Sequence, residues 1–275
     1  MPELPEVETI ARDLAVALVG VRVASVWGSG KGLHLGREVN LRAVRRALGG
    51  RRLVGVRRKG KYLLIDAEGE RRPGLLVHLG MSGRLLVAAA ESPRPPHTHL
   101  VLGLGAGREL RFVDPRRFGW LAAGAPVDGL PELGALGPDP LTELTAPELA
   151  AQLEGVRAPI KAFLLDQRRI AGLGNIYVSE ALHRACIHPA VAAGRVQRRA
   201  AALLAGVRAA LEGGIRNRGT TLRDYVDPSG ARGDNAAALR VYGRDGEPCP
   251  VCATRIRRRV DGGRSTYLCP RCQRR

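Results

Sequence analysis

Apolar residues at Val7, Ile10, Ala11, Leu14, Ala17 and Leu18 recur at the spacing of a helix with one buried face, and Gly20 supplies its stop. Pro2 with Glu3, Glu6 and Glu8 suits the start of that helix, where a pre-set φ and the macrodipole favour proline and carboxylates. From Val21 to about Ala123 the period changes. Short apolar or alternating runs such as VRVASVW, KYLLID, GLLVHL, HTHLVLGL and RELRFVD are broken by Gly and Pro, with one helix expected around Asn40 to Leu48. Many short strands without βαβ alternation predict an antiparallel sandwich or barrel. Residues 1–125 therefore form a β-sandwich domain with its amino-terminal helix packed on or beside it.

Residues 126–142 lie in a stretch dense in Gly and Pro with little periodicity, which predicts a linker. After it the pattern is helical. Thr145 and Glu148 form a capping box, Pro159 stands at the first turn of another helix, and an Ala/Leu-rich helix is expected from about Val196 to Leu211. The helical domain spans 143–240. Its segment 219–240 has few apolar residues and several glycines, and is expected to be a long mobile loop. The whole predicts a multidomain α+β protein.

Charge changes the picture from fold to partner. Lys and Arg number 44 against 26 Asp and Glu, a formal net charge of +18, which calls for a polyanion, nucleic acid first. A membrane surface competes for that charge, but no apolar run approaches a spanning helix and the acidic amino terminus fails as a secretory signal, so a cytoplasmic location is expected. Only Lys31, Lys59, Lys61 and Lys161 are lysines. In an arginine-dominated chain, a retained lysine can mark a need for a compact, titratable ammonium.

Two chemical patterns stand out. Cys249-Pro-Val-Cys252 and Cys269-Pro-Arg-Cys272, sixteen residues apart, match the four-thiolate template for one structural zinc ion. The intervening residues alternate around Asp261-Gly262-Gly263, a hairpin signal, so residues 241–275 form a zinc-pinned β-hairpin whose folding the metal must supply. Cys186, the fifth cysteine, is expected on a helix as a buried small hydrophobe. At the other end, loss of Met1 would leave Pro2 as a secondary amine. An α-amino group titrates near about 7.7–8.0, so a neutral fraction is available to attack an electrophilic carbon, with Glu3 beside it as proton donor. In the middle, GLGNIY at 172–177 predicts a tight glycine turn into a helix beginning at Asn175, either an ordinary cap or a phosphate-binding end.

MPELPEVET, RKGKYLL at 58–64, HLGMSG at 78–83, DPRRFG at 114–119, GLGNIY, GTTLRDY at 219–225, VYGR at 241–244 and the terminal cysteine hairpin, in order along the whole chain, closely resemble the bacterial formamidopyrimidine-DNA glycosylases, 8-oxoguanine repair enzymes related to endonuclease VIII. The resemblance implies a helix-two-turns-helix motif in the helical domain and a bifunctional DNA glycosylase and abasic-site lyase of base excision repair. In that reading Pro2 forms a Schiff base with the damaged nucleotide's sugar and Glu3 protonates the leaving or ring-opening oxygen. Lys61 assists β-elimination and Arg264 assists δ-elimination, both contacting phosphate. A stacked base must be flipped out and its place filled, and the resemblance assigns that task to Met81, Arg116 and Phe118, with Arg116 facing the estranged cytosine. Taken alone, the pattern favours Met81 and Phe118 as core, although their place in glycine-flanked turns between strands allows exposure at loop tips. Further backbone contacts fall on His78, His97, Arg157, Lys161, Asn175 and Tyr242. The partner is damaged double-stranded DNA, with a monomer in the cytoplasm, nucleoid-associated and away from membranes.

One stretch departs from the family. Relatives commonly carry an aromatic pair before VYGR, where this chain has Asp234-Asn235-Ala236-Ala237-Ala238, so the loop over the flipped base is expected to be looser and lesion preference broader or shifted. Two alternatives stay open on the residues: an endonuclease VIII-like enzyme acting on oxidised pyrimidines, and a non-catalytic zinc-hairpin DNA-binding protein.

Overall fold

A computed structural model describes residues 1–36 and 38–275, Leu35 by its backbone alone. The chain divides into two compact units, Met1–Gly134 with Asn217–Asp234, and Ala135–Arg216 with Asn235–Arg275. Among the described residues no helix is long and apolar enough to cross a membrane.

The first unit begins with α1 (Leu4–Leu18), whose buried stripe of Val7, Ile10, Ala11, Leu14 and Leu18 is the one its sequence spacing predicts. Among the described residues eight strands follow: β1 (Val23–Gly28), β2 (Leu53–Lys59), β3 (Tyr62–Ala67), β4 (Gly74–His78), β5 (Arg84–Ala89), β6 (Thr98–Leu104), β7 (Arg108–Val113) and β8 (Trp120–Gly124). They form two antiparallel four-stranded sheets, ordered β1-β6-β7-β5 and β2-β3-β4-β8. Leu63, Ile65, Leu75 and Val77 of one sheet join Leu100, Leu102, Leu110 and Phe112 of the other and the α1 stripe in a single core. This is the sandwich that the alternating runs call for. Helix α2 (Leu41–Leu48) packs on β4 and β8, capped by the Asn40 side chain, which accepts the Ala43 N–H at 3.0 Å. Leu64 and Leu76, on the opposite face of their sheet, are buried as well, so the middle strands lose the polar alternation of a one-sided sheet.

In the second unit the Thr145–Glu148 capping box opens α4 (Ala146–Leu153), and Pro159 sits just before α5 (Ile160–Leu165). Then come α6 (Asn175–Arg184), α7 (Ala200–Arg216), and a hairpin of β9 (Arg257–Asp261) and β10 (Arg264–Leu268). Gly262 and Gly263, both at positive φ (55° and 74°), make the two-residue turn that lets Asp261 pair with Arg264. The helix expected from Val196 starts later because residues 193–199 form a 3₁₀ segment first.

Three expectations need correcting. The 126–142 linker is structured: a short helix, α3 (Pro131–Gly134), belongs to the first unit, while Pro140 O in the second accepts from Arg208 Nε at 3.0 Å. Residues 217–234 do not group with the helical domain and are not a loose loop. They are hydrogen-bonded within the first unit: Thr220 N–H donates to Glu6 at 2.7 Å, Val87 N–H to Pro228 O at 3.0 Å, and Arg218 pairs with Asp13 and Asp227. These anchors are far apart in sequence, which is why low local hydrophobicity misread the segment as mobile. Finally, Cys186 lies two residues beyond the end of α6 at φ 52° and is exposed, because that helix stops at Arg184 rather than continuing through it.

Candidate functional site

In the first unit, Met1 is exposed while Pro2 and Glu3 are buried. Glu3 sits at the cap of α1 and donates its backbone N–H to Glu6 Oε2 at 2.8 Å, and the other carboxylate oxygen of Glu6 takes the Thr220 N–H. Glu6 is 1% exposed and ties the chain start to residues 217–234. Gly219 follows from this closeness: its φ is +87° and a Cβ there would stand 2.9 Å from the Glu6 side chain. Arg58 of β2, its guanidinium nearly buried, donates to Glu8 at 2.8 Å and fixes α1 against the sheet. At Glu8, burial alone would raise the carboxyl pKa, but hydrogen bonds from Arg58 and Arg12 outweigh it and hold the group below the ordinary carboxylate range.

Lys61, 7% exposed, precedes β3 at the edge where Tyr62 pairs with His78 and His78 with Trp120. Their rings pack together, Tyr62 to His78 at 4.9 Å and Tyr62 to Trp120 at 5.6 Å between centroids. Burial, then the charges of Lys61 and His34, push the His78 pKa down to about 4. The ring is therefore neutral in ordinary buffers, and with Nδ1 accepting the Gly80 N–H at 3.2 Å its proton is on Nε2.

Two turns lie back to back at this edge. Gly80, at φ +59°, leaves so little room that a Cβ would fall 2.4 Å from the Phe118 carbonyl carbon. Asp114, fully buried, holds both turns: it accepts from Ser82 Oγ at 2.5 Å, from Gly119 N–H at 2.7 Å and from Arg116 N–H at 3.3 Å. Consequently Met81 and Phe118 are each 41% exposed rather than core, and the Arg116 guanidinium stacks 4.8 Å over the Phe118 ring. His97 is exposed at φ 65°, its carbonyl accepting the Asp114 N–H. Asp114, Ser82 and Glu6 organise these turns and the start of α1 without any local pattern in the sequence that marks the role. A lone Asp before Pro-Arg-Arg was the available signal, but its partner Ser82 is 32 residues away.

In the second unit, Lys161 on α5 is 3% exposed and donates to Ser265 O at 2.9 Å and Thr266 Oγ1 at 2.7 Å. With Arg259, Arg264 and Asp261 it lines a cavity of about 500 Å³. Burial lowers the Lys161 pKa to about 8, with Arg264 and Arg259 pushing the same way and Asp261 opposing. Asn175 does not cap its helix: Gly174 occupies the cap, and the Asn175 Nδ2 donates to Ser265 O at 2.8 Å. Arg157 is exposed beyond α4, and the Tyr242 ring packs against Tyr267 at a tilt of 59°, 5.0 Å between centroids. Glu180, buried on α6, accepts the Arg240, Val241 and Tyr242 N–H groups at 2.9–3.1 Å, another organiser invisible in the sequence. Thus Lys161 and Asn175 converge on the hairpin that carries Arg264, whereas Arg157 does not line that cavity.

Cys249, Cys252, Cys269 and Cys272 bring their sulfurs within 4.8 Å of one another. Pair distances of 3.9, 3.4 and 3.5 Å bracket the separation of about 3.8 Å set by tetrahedral zinc–sulfur bonds of about 2.3 Å. The donor set and its geometry fit one structural zinc ion.

Residues 1–121 match the formamidopyrimidine-DNA glycosylase N-terminal domain, 136–226 the formamidopyrimidine-DNA glycosylase H2TH domain, and 246–275 the zinc finger found in FPG and IleRS. A formamidopyrimidine-DNA glycosylase of Rhizorhabdus wittichii is 48% identical over 277 residues, 99% of this chain and 100% of that one. One from Moorella thermoacetica is 49% identical over 94% of each chain. The crystal structure of the MutM (FPG) protein of Thermus thermophilus is 39% identical with a TM-score of 0.86, covering 99% of this chain and 98% of that one. That of a Lactococcus lactis FPG mutant, in complex with a Fapy-dG-containing DNA, is 31% identical with a TM-score of 0.90 over 100% of both chains. The fold and the four-cysteine hairpin thus define a zinc-bearing DNA-repair glycosylase. The chain belongs to the formamidopyrimidine-DNA glycosylase family, whose members are DNA glycosylases and abasic-site lyases.

Proposed function

We propose that this enzyme excises oxidised purines, 8-oxoguanine and formamidopyrimidines, from duplex DNA through a covalent adduct on Pro2, followed by β- and δ-elimination. The carrying observation is the placement of Pro2 and Glu3 at the rigid head of α1, held by Glu6 to residues 217–234 of the same unit. Removal of the exposed Met1 turns the Pro2 nitrogen from an amide into a secondary amine. That amine attacks C1′ of the lesion nucleotide and loses its own proton as the base departs through its glycosidic nitrogen. Glu3 protonates the sugar ring oxygen, whose release from C1′ opens the ring. The resulting iminium draws electrons from the sugar, so loss of the C2′ proton expels the 3′ phosphate and a second elimination expels the 5′ phosphate. Lys61 and Arg264 provide the cations for phosphate. His78, His97, Arg157, Lys161, Asn175 and Tyr242 contribute backbone contacts on their respective units.

Met81, Phe118 and Arg116 suit the flipped-out state. Two half-exposed apolar tips and a planar guanidinium stand on turns that Asp114 holds rigid, which supports filling of the vacated stack and reading of the opposite base. Relatives from Lactococcus lactis have been crystallised with Fapy-dG DNA, with an abasic-site DNA and with an oxidised-pyrimidine DNA, which supports a damaged-duplex partner of some breadth. In this chain Ala236, Ala237 and Ala238 are exposed where an aromatic pair is expected, which supports a lesion preference broader than 8-oxoguanine alone. Borohydride trapping on oligonucleotides carrying one lesion each tests the whole reading. A trapped adduct mapping to Pro2 on 8-oxoguanine and formamidopyrimidine strands is expected, and Pro2→Gly should trap far less. An adduct on a lysine, or none, would overturn it.

A further inference from the structure

Helix α6 meets the metal cluster through a side chain outside the four ligands. His183 is 2% exposed, and its Nε2 lies 3.4 Å from Cys249 Sγ. Its Nδ1 is buried with no hydrogen-bond partner. Three residues earlier on the same helix, Glu180 grips the backbone of 240–242 at the entry to the hairpin. The helix therefore holds the zinc unit at two successive points.

A thiolate bound to zinc carries no proton. With zinc in place, the Cys249 sulfur must accept and the imidazole must donate, which selects the Nε2–H tautomer and leaves Nδ1 bare. Burying a ring with one nitrogen unpaired is unfavourable by itself, and a charge-assisted bond to an anionic sulfur is what offsets it. Zinc with four thiolates carries a net charge of about −2, so donors around it stabilise the cluster. Besides His183, the Cys272 N–H reaches Cys269 Sγ at 3.4 Å. We propose that His183 is a positioning residue for the zinc centre: its Nε2–H donates to the Cys249 thiolate, fixes that sulfur against α6, and slows both metal loss and oxidation at Cys249. Electron density withdrawn from the sulfur makes it a poorer nucleophile toward peroxide and a less easily protonated leaving ligand.

The test uses the full-length zinc-loaded protein, with zinc release into excess chelator followed by a chromogenic zinc indicator, with and without hydrogen peroxide. His183→Phe fills the space without a donor, and His183→Gln restores an N–H. Release from His183→Phe should be faster by about tenfold in both conditions, in line with losses of outer-shell partners, and His183→Gln should return toward the unsubstituted rate. In cobalt-substituted protein the sulfur-to-metal charge-transfer band should move to lower energy in His183→Phe only. Equal release from all three proteins with an unmoved band, or a glutamine variant as fast as the phenylalanine one, would reduce His183 to a space-filling role and overturn the proposal. Nitrogen NMR of the unsubstituted zinc protein decides even if a variant misfolds: a protonated Nε2 with a bare Nδ1 supports the assignment, and the opposite tautomer overturns it.

Discussion

Asp114 shows how much of the site depends on one carboxylate. It touches no substrate in the proposed chemistry, yet Ser82, Gly119 and the Arg116 backbone all donate to it from turns that carry Met81 and Phe118. Asp114→Ala leaves these donors unpaired at a fully buried position, and should destabilise the first unit by about 2–4 kcal/mol in urea unfolding. Discrimination of the base opposite the lesion should fall with it, because Arg116 would lose its footing. His78 illustrates the same point in electrostatics. With its pKa near 4, lowered chiefly by burial, it stays neutral through the range in which an exposed histidine titrates. Its ring carbon signals in NMR should not move between pH 6 and 8, and no inflection of activity in that window should come from it.

Among the elements, the terminal hairpin has the least core of its own. Its buried hydrophobic cluster is Val241, Ile256 and two of the cysteines, with Tyr267 packed beside them. Such a unit is held chiefly by metal. Cys252→Ala or exhaustive chelation should abolish zinc binding and DNA affinity, while the near-ultraviolet and unfolding signatures of the sandwich persist. Loss of the sandwich signal together with zinc would show that the two units do not fold separately. The sandwich, by contrast, is held by two sheets and α1 sharing one core, with Gly80 admitting the close approach of the two reading turns.

Across the molecule, the net charge of +18 sets how binding responds to salt. Affinity for undamaged duplex should fall linearly in log–log salt plots, and Lys161→Met should lower the slope by about one. Lys161 is also where pH enters. Its folded pKa is about 8 because burial disfavours the charged amine, so between that value and the ordinary lysine range the folded state binds fewer protons than the unfolded one. Stability should rise with pH through that window, the sign that follows from linkage, while DNA affinity falls as the amine loses its charge. Lys161→Met should flatten both trends.

Local pattern alone was enough for α1, α2, the runs that became eight strands, the Gly262-Gly263 turn and the cysteine spacing, because each depends on periodicity, caps or neighbours a few residues away. It also marked Pro2, Lys61 and the turn residues by resemblance. The placement of 217–234 with the first unit, the exposure of Met81 and Phe118, and the roles of Glu6, Asp114, Glu180 and His183 were decided only in three dimensions. Each of those depends on a hydrogen bond or a backbone contact between segments tens to hundreds of positions apart, and a one-dimensional pattern does not contain the distance between them.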